Sequence, residues 1–209
     1  MILEKPLATS VQSWGNITKL IESADCQILY SQPWTFSKLW QRVINELGEL
    51  SFPISIEIRK KGLEFRSDFS GLQDWLPHDL YLIESLIRRK EISGEPIVVS
   101  RPQESNQIQI NVGDKVYIKV SFIIDDQREM FWEVSANHGT SFSIDFVNSY
   151  FNRFDGGKLL SQETFLGDHP LMNMFTQYVI DVDEFSGNYI PSMQEIVATN
   201  FQDSEIWFS

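Results

Sequence analysis

The sequence predicts an α+β protein. Its central antiparallel sheet is a hairpin plus a meander, packed with helices from both ends of the chain. Three observations lead there. Ile54, Ile56 and Ile58 alternate with polar residues, the period of a half-buried strand. From Ile97 to about Val134, four apolar segments follow one another across short turns, which suits antiparallel neighbours rather than crossover units. On both sides of that stretch, apolar residues recur at helical spacing.

Residues 10–24 read as a helix, with Val11, Trp14, Ile17, Leu20 and Ile21 on one side. A short strand is expected over Cys26–Tyr30. The clearest helix carries Phe36, Leu39, Trp40, Val43, Ile44 and Leu47, with Thr35 as its cap and Gly48 as its stop. After the Ile54–Ile58 strand, Lys60-Lys61-Gly62 reads as a turn and Leu63 and Phe65 resume the alternation, which makes a hairpin. The basic residues Arg59, Lys60, Lys61 and Arg66 then sit on a charged hairpin tip that protects a sheet edge.

A third helix starts at Pro77, because proline suits a first helical turn. Leu80, Ile83, Leu86 and Ile87 form its stripe, and Arg88-Arg89-Lys90 close it favourably against the helix dipole. Strands follow at 97–99, 108–112, 116–124 and 130–134. Beyond them Phe142, Phe146, Val147, Tyr150, Phe151 and Phe154 fall on one helical face, stopped by Asp155-Gly156-Gly157. A loop with a short strand covers 158–165. Further helices run from Pro170 to Ile180 and from Pro191 through Phe201, and the apolar tail Ile206-Trp207-Phe208 docks. The simplest organisation is one domain over residues 1–209. A subdivision near residue 128, with an acidic helical C-terminal part, is the alternative.

Charge is uneven. The net charge is −12, from 29 acidic and 17 basic residues. After residue 128 only Arg153 and Lys158 are basic, so nearly all the excess negative charge lies there. Nucleic acid and anionic membrane surfaces are poor partners for such a surface, since phosphate affinity comes from Lys and Arg. No apolar run reaches the length of a membrane span, the first residues lack a signal-peptide pattern, and the single cysteine suits a reducing cytosol. The expected location is cytoplasmic.

Recognisable catalytic and cofactor motifs are missing. Cys26, His78, His138 and His169 stand far apart, without the close spacing of a zinc site. Asp181-Val182-Asp183-Glu184-Phe185-Ser186 fails as a calcium loop, because Phe185 and Ser186 occupy the positions of an oxygen ligand and a glycine. Gly156-Gly157-Lys158 is followed by Leu159 where a phosphate loop needs Ser or Thr, and there is no GxGxxG or GxSxG. No metal ligand, cofactor or catalytic residue is assigned on this basis, and no family is recognised.

The leading reading is a non-catalytic acidic module that binds a basic protein, as an immunity protein, antitoxin, adaptor or dedicated chaperone does. Asp181, Asp183, Glu184, Asp203 and Glu205 would steer and pair with the partner, and Trp207 would anchor it. The alternative is an enzyme or small-ligand binder whose pocket gathers His138, His169, Asp168 or Cys26. A structural subunit of a larger assembly is the third reading, suggested by the apolar tail.

Overall fold

Strands β3 to β10 form one mixed, eight-stranded sheet in the order β10-β9-β8-β7-β3-β6-β5-β4. They are β3 (Ile54–Gly62), β4 (Pro96–Ser100), β5 (Gln107–Val112), β6 (Val116–Ile124), β7 (Glu129–Ala136), β8 (Thr140–Asp145), β9 (Tyr150–Asp155) and β10 (Lys158–Thr164). Two further strands, β1 (Ile2–Leu3) and β2 (Leu29–Tyr30), pair in parallel by themselves. The helices are α1 (Val11–Ser23), α2 (Lys38–Glu49), α3 (Gly71–Arg89) and α4 (Pro170–Ile180). This computed structural model describes residues 2–3, 11–23, 25, 29–31, 33–62, 71–89, 96–100 and 107–180. The α+β class is therefore as expected, and no described helix is long and apolar enough to cross a membrane.

The chain divides into two compact units. One comprises Met1–Ser37, Phe65–Ser85 and His169–Ser209. Within it β1, α1 and β2 form a small parallel crossover, and α3 contributes its residues up to Ser85. The helix α4 is tied to the 3-10 turn Pro33–Phe36 by Asn173, whose Nδ2 donates to the Phe36 carbonyl at 3.0 Å.

The other unit, Lys38–Glu64 and Leu86–Asp168, holds α2 and the large sheet. Here β3 is the central strand. It pairs antiparallel with β7 and parallel with β6, while every other neighbouring pair in the sheet is antiparallel. The register lines up Phe151, Ile144, Trp132, Ile58, Val120 and Ile108 across six strands, all of them fully buried. Trp40 of α2 packs on this face, with its ring 5.7 Å from that of Trp132 in edge-to-face geometry. Phe146 closes the cluster at 5.7 Å from Trp132. Such aromatic pairs add to simple area burial because ring edges meet ring faces.

Several expectations are corrected. The Ile54–Phe65 hairpin does not form. Ile54–Gly62 is one continuous strand, with Lys60 and Lys61 paired on both sides inside the sheet. Leu63 and Phe65 lie outside the described residues. The sheet is mixed rather than an antiparallel hairpin plus meander, because β6 returns beside β3 in parallel. Residues 142–154 are not a helix but β8, a turn and β9. Phe142 and Ile144 stand in register with Val134 and Trp132 on the buried face of the sheet, and that alternation satisfies the same aromatic count as a period near four. Finally, α3 starts at Gly71, six residues before Pro77, so the proline lies inside the helix. The segment 158–165, expected as a loop with a short strand, is mostly the edge strand β10. The helix expected from Pro191 lies outside the described residues.

Candidate functional site

Helix α3 is buried nearly all round. Leu76, Leu80, Leu82 and Ile83 have no exposure, and the two carboxylates Asp79 and Glu84 are buried with them. A charged group in such surroundings requires polar partners, since desolvation alone costs several kcal/mol (roughly, for a buried ion). Neither Asp79 nor Glu84 lacks a partner in the fold. Up to Ser85 only Pro77's neighbour His78, Tyr81 and Ser85 are part-exposed on the described stretch that begins at Leu76. Their spacing of three and then four residues places them in one stripe along the helix. The Ser85 hydroxyl donates to the Leu82 carbonyl at 2.7 Å, so it serves the helix itself. His78 and Tyr81 are the remaining reactive groups of that stripe. Neither is without a partner.

The other two histidines are exposed. His138 sits in the β7–β8 turn with φ of 79°, a backbone position that the following Gly139, φ 80°, shares. It serves a tight turn rather than a pocket. His169 precedes α4, where its carbonyl accepts the Asn173 N–H at 2.9 Å. Asp168 is structural: its Oδ2 accepts the backbone N–H of Lys38 at 2.6 Å and so caps the start of α2. That role falls to Asp168 rather than to Thr35, which lies in the preceding 3-10 turn. Cys26 lies outside the described residues, as do Asp181, Asp183, Glu184, Asp203, Glu205 and Trp207. Among the described residues no group of three or more His, Cys, Asp or Glu side chains is placed to hold a metal ion.

A second polar cluster closes the rim of the sheet. Arg42 of α2 donates from Nη1 to Glu46 Oε2 at 2.6 Å and from Nε to Glu163 Oε1 of β10 at 2.9 Å. Its guanidinium also lies 4.5 Å from the centre of the Phe151 ring. Arg153 Nε comes within 2.9 Å of Glu46 Oε1, but its N–H does not point at that oxygen, so this contact is Coulombic rather than a hydrogen bond. The Arg42 guanidinium is held above its ordinary pKa: burial opposes the charge, and the carboxylates of Glu46 and Glu163 outweigh that. Alternating charges clamp the β9–β10 hairpin to α2. With each carboxylate already matched to an arginine, the cluster is a fastening.

His78 entered the sequence reading only as one of four scattered metal-ligand candidates. A sharper signal was present. Asp79 stands three residues after Leu76 and four before Ile83, on the apolar stripe of the helix, and a carboxylate there marks a special environment.

No protein-family model matches the chain, and no curated protein matches its sequence. Solved structures do match its fold. A dehydrogenase (MviM) from Clostridium difficile superposes with a TM-score of 0.69 at 15% identity, covering 93% of this chain and 66% of that one. The biliverdin reductase of Synechocystis, solved with biliverdin and NADP+, gives a TM-score of 0.67 at 11% identity, covering 94% and 67%. A Gfo/Idh/MocA family oxidoreductase from Vibrio cholerae gives 0.64 at 15% identity, covering 98% and 68%. This chain spans about two thirds of the length of these proteins. The leading sequence reading is thereby corrected. A non-catalytic acidic docking module of the immunity-protein, antitoxin or adaptor kind does not agree with a fold shared with dehydrogenases and reductases, which favours the enzyme alternative.

Proposed function

We propose that the protein is an oxidoreductase acting on a small molecule, with His78 as the group that gives or takes a proton at the substrate oxygen. The observation that carries this is the part-exposed stripe on α3, which sets an imidazole at the surface of an otherwise buried helix. The fold shared with dehydrogenases and reductases supports it. When a hydroxyl carbon is oxidised to a carbonyl, the oxygen must lose its proton. In the reverse direction the oxygen must gain one. An imidazole titrates near neutrality and performs either transfer. Asp79 lies one residue on, about 100° round the helix, so it faces inward and holds α3 in place rather than touching the substrate.

The Synechocystis reductase was solved with NADP+, which makes a nicotinamide dinucleotide the natural redox partner to test. The described residues do not fit its pyrophosphate. That group is cradled by several glycines in a turn from strand to helix. Here Gly113, Gly139, Gly156 and Gly157 serve hairpin turns, and Gly167 stands alone before α4. The assignment therefore rests on the proton and on this chain's own imidazole.

The test is to follow NADH and NADPH absorbance with the full chain against a panel of small ketones, aldehydes and open-chain tetrapyrroles, and then with His78→Gln. Turnover that falls by about 10²–10⁴-fold in the variant, with an unchanged circular dichroism spectrum, is the expected result. Turnover that survives the substitution would remove His78 from the chemistry. No oxidation of either nucleotide with any substrate would overturn the oxidoreductase reading.

A further inference from the structure

Tyr81 shares the part-exposed stripe of α3 with His78, while Leu80 and Leu82 on either side of it have no exposure. We propose that the Tyr81 hydroxyl donates a hydrogen bond to the same substrate oxygen that exchanges its proton with His78. This rests on the reading of His78 as the proton-transfer group and adds a second catalytic residue to that site.

Helix geometry brings the two groups to one place. Three residues advance the chain about 4.5 Å along the axis and set the two Cβ atoms about 5–6 Å apart on neighbouring positions of one face. Helical side chains lean toward the N-terminus, over the preceding turn. For Tyr81 the preceding turn is the one that carries His78. A long, rigid phenol leaning that way puts its oxygen beside the imidazole, within reach of an atom the imidazole touches. The other polar groups on this part of the helix are committed. Asp79 and Glu84 are buried, and the Ser85 hydroxyl donates to the Leu82 carbonyl at 2.7 Å.

The two side chains divide the work by their chemistry. An imidazole titrates near neutrality, so His78 moves the proton. A phenol ordinarily keeps its proton up to about pH 10, so it donates to charge rather than exchanging with it. Once the imidazole has taken the proton of a hydroxyl, the oxygen is left negative until the carbonyl is complete. In the reverse direction the carbonyl oxygen becomes negative before the imidazole protonates it. In both cases the Tyr81 O–H points at the developing charge and neither gains nor loses a proton. The stripe stands on a helix whose Leu76, Leu80, Leu82 and Ile83 have no exposure, and a hydrogen bond to charge is stronger beside so apolar a body than in water.

Tyr81→Phe in the full chain is the test, because it removes the hydroxyl and keeps the ring. Turnover in the nucleotide assay should fall about 10²-fold with KM little changed, and the pH profile should keep its shape, since the proton still goes to His78. A second readout needs no turnover. Titration with para-nitrophenol, followed by the absorbance of its phenolate, asks whether the site favours an oxyanion. The variant should bind the phenolate about tenfold more weakly, with unchanged affinity for the neutral para-nitroanisole and an unchanged melting temperature. Turnover lost in His78→Gln but intact in Tyr81→Phe would overturn this inference and leave the His78 reading standing. Phenolate affinity that is absent in the wild type, or equal in wild type and Tyr81→Phe, would also overturn it. A wild type that oxidises neither nucleotide, yet loses phenolate affinity in Tyr81→Phe, would overturn the oxidoreductase reading and keep Tyr81 as an oxyanion donor.

Discussion

Trp132 and Glu133 are neighbours on β7 and belong to two different physical worlds. Trp132 lies in a row of buried apolar side chains under α2, whereas Glu133 lies in a row of carboxylates, amides and hydroxyls on the open face. The strand geometry is the same for both, because successive side chains leave a strand on opposite sides. What differs is water. On the inner face stability comes from close packing, and on the outer face charges are screened and individually worth little. One β-sheet thus carries a core on one side and an exposed polar face on the other, with a single residue step between them.

Trp132→Ala is the largest way to expose that contrast. Trp40 and Phe146 lose their shared neighbour, and a loss of about 3–5 kcal/mol in urea unfolding is expected. Glu133→Ala, one residue away, should stay within about 0.5 kcal/mol in the same measurement. Equal effects would erase the distinction between the faces. The rim tests an intermediate case. Arg42→Leu removes the cation shared by Glu46 and Glu163 and leaves Glu46, 4% exposed, with only the misdirected Arg153. A loss of about 1–3 kcal/mol is expected. Less than half of that would mean that Arg153 turns to replace it.

A smaller loss, about 1 kcal/mol, is predicted for Asp168→Ala, which uncaps α2 at the Lys38 N–H. Asparagine at the same position should recover most of it, and failure to recover would assign the effect to something other than the cap. The smallest effect concerns acid. The Asp125 carboxyl is held below the ordinary carboxylate value, first by the backbone N–H of Gln127 at 3.1 Å and then by Asp126 and Lys61. A depressed folded pKa contributes stability that is present above the unfolded value and lost as pH falls through the folded one. Asp125→Asn should therefore lose that small contribution at neutrality and flatten the acid limb below about pH 4, where wild type and variant converge. Carboxyl titration by NMR checks the premise, and an Asp125 that protonates at or above the ordinary value would remove it.

Much of the fold was readable before any coordinates. The helices α1, α2 and α4 and the strands β5, β6 and β7 lie where apolar spacing predicts, because each pattern is written within one element. The misreading of 142–154 has the same origin. The aromatics at 142, 146, 150, 151 and 154 satisfy a helix, while Ser141, Ser143 and Asp145 beside Phe142 and Ile144 satisfy a strand, and only neighbouring strands on both sides settle the choice. Lys60 shows the limit from the other direction. The run Lys60-Lys61-Gly62 suggested a turn, yet Lys60 is buried at 7% exposure inside the central strand. The site was less legible than the fold. Histidine exposure separates His78 from His138 and His169, and exposure is a property of what packs around a residue.

The sequence by itself determined which segments have a buried side, where most chain reversals fall and how unevenly the charge is spread, since these follow from residue spacing and composition. Only the tertiary structure decided that β6 lies parallel to β3, that one face of the sheet remains open, and that Glu133 meets Glu57 rather than a lysine. Those facts depend on which strands become neighbours. Strand neighbours are chosen by burial and hydrogen bonding summed over the whole sheet, and no single segment carries that sum.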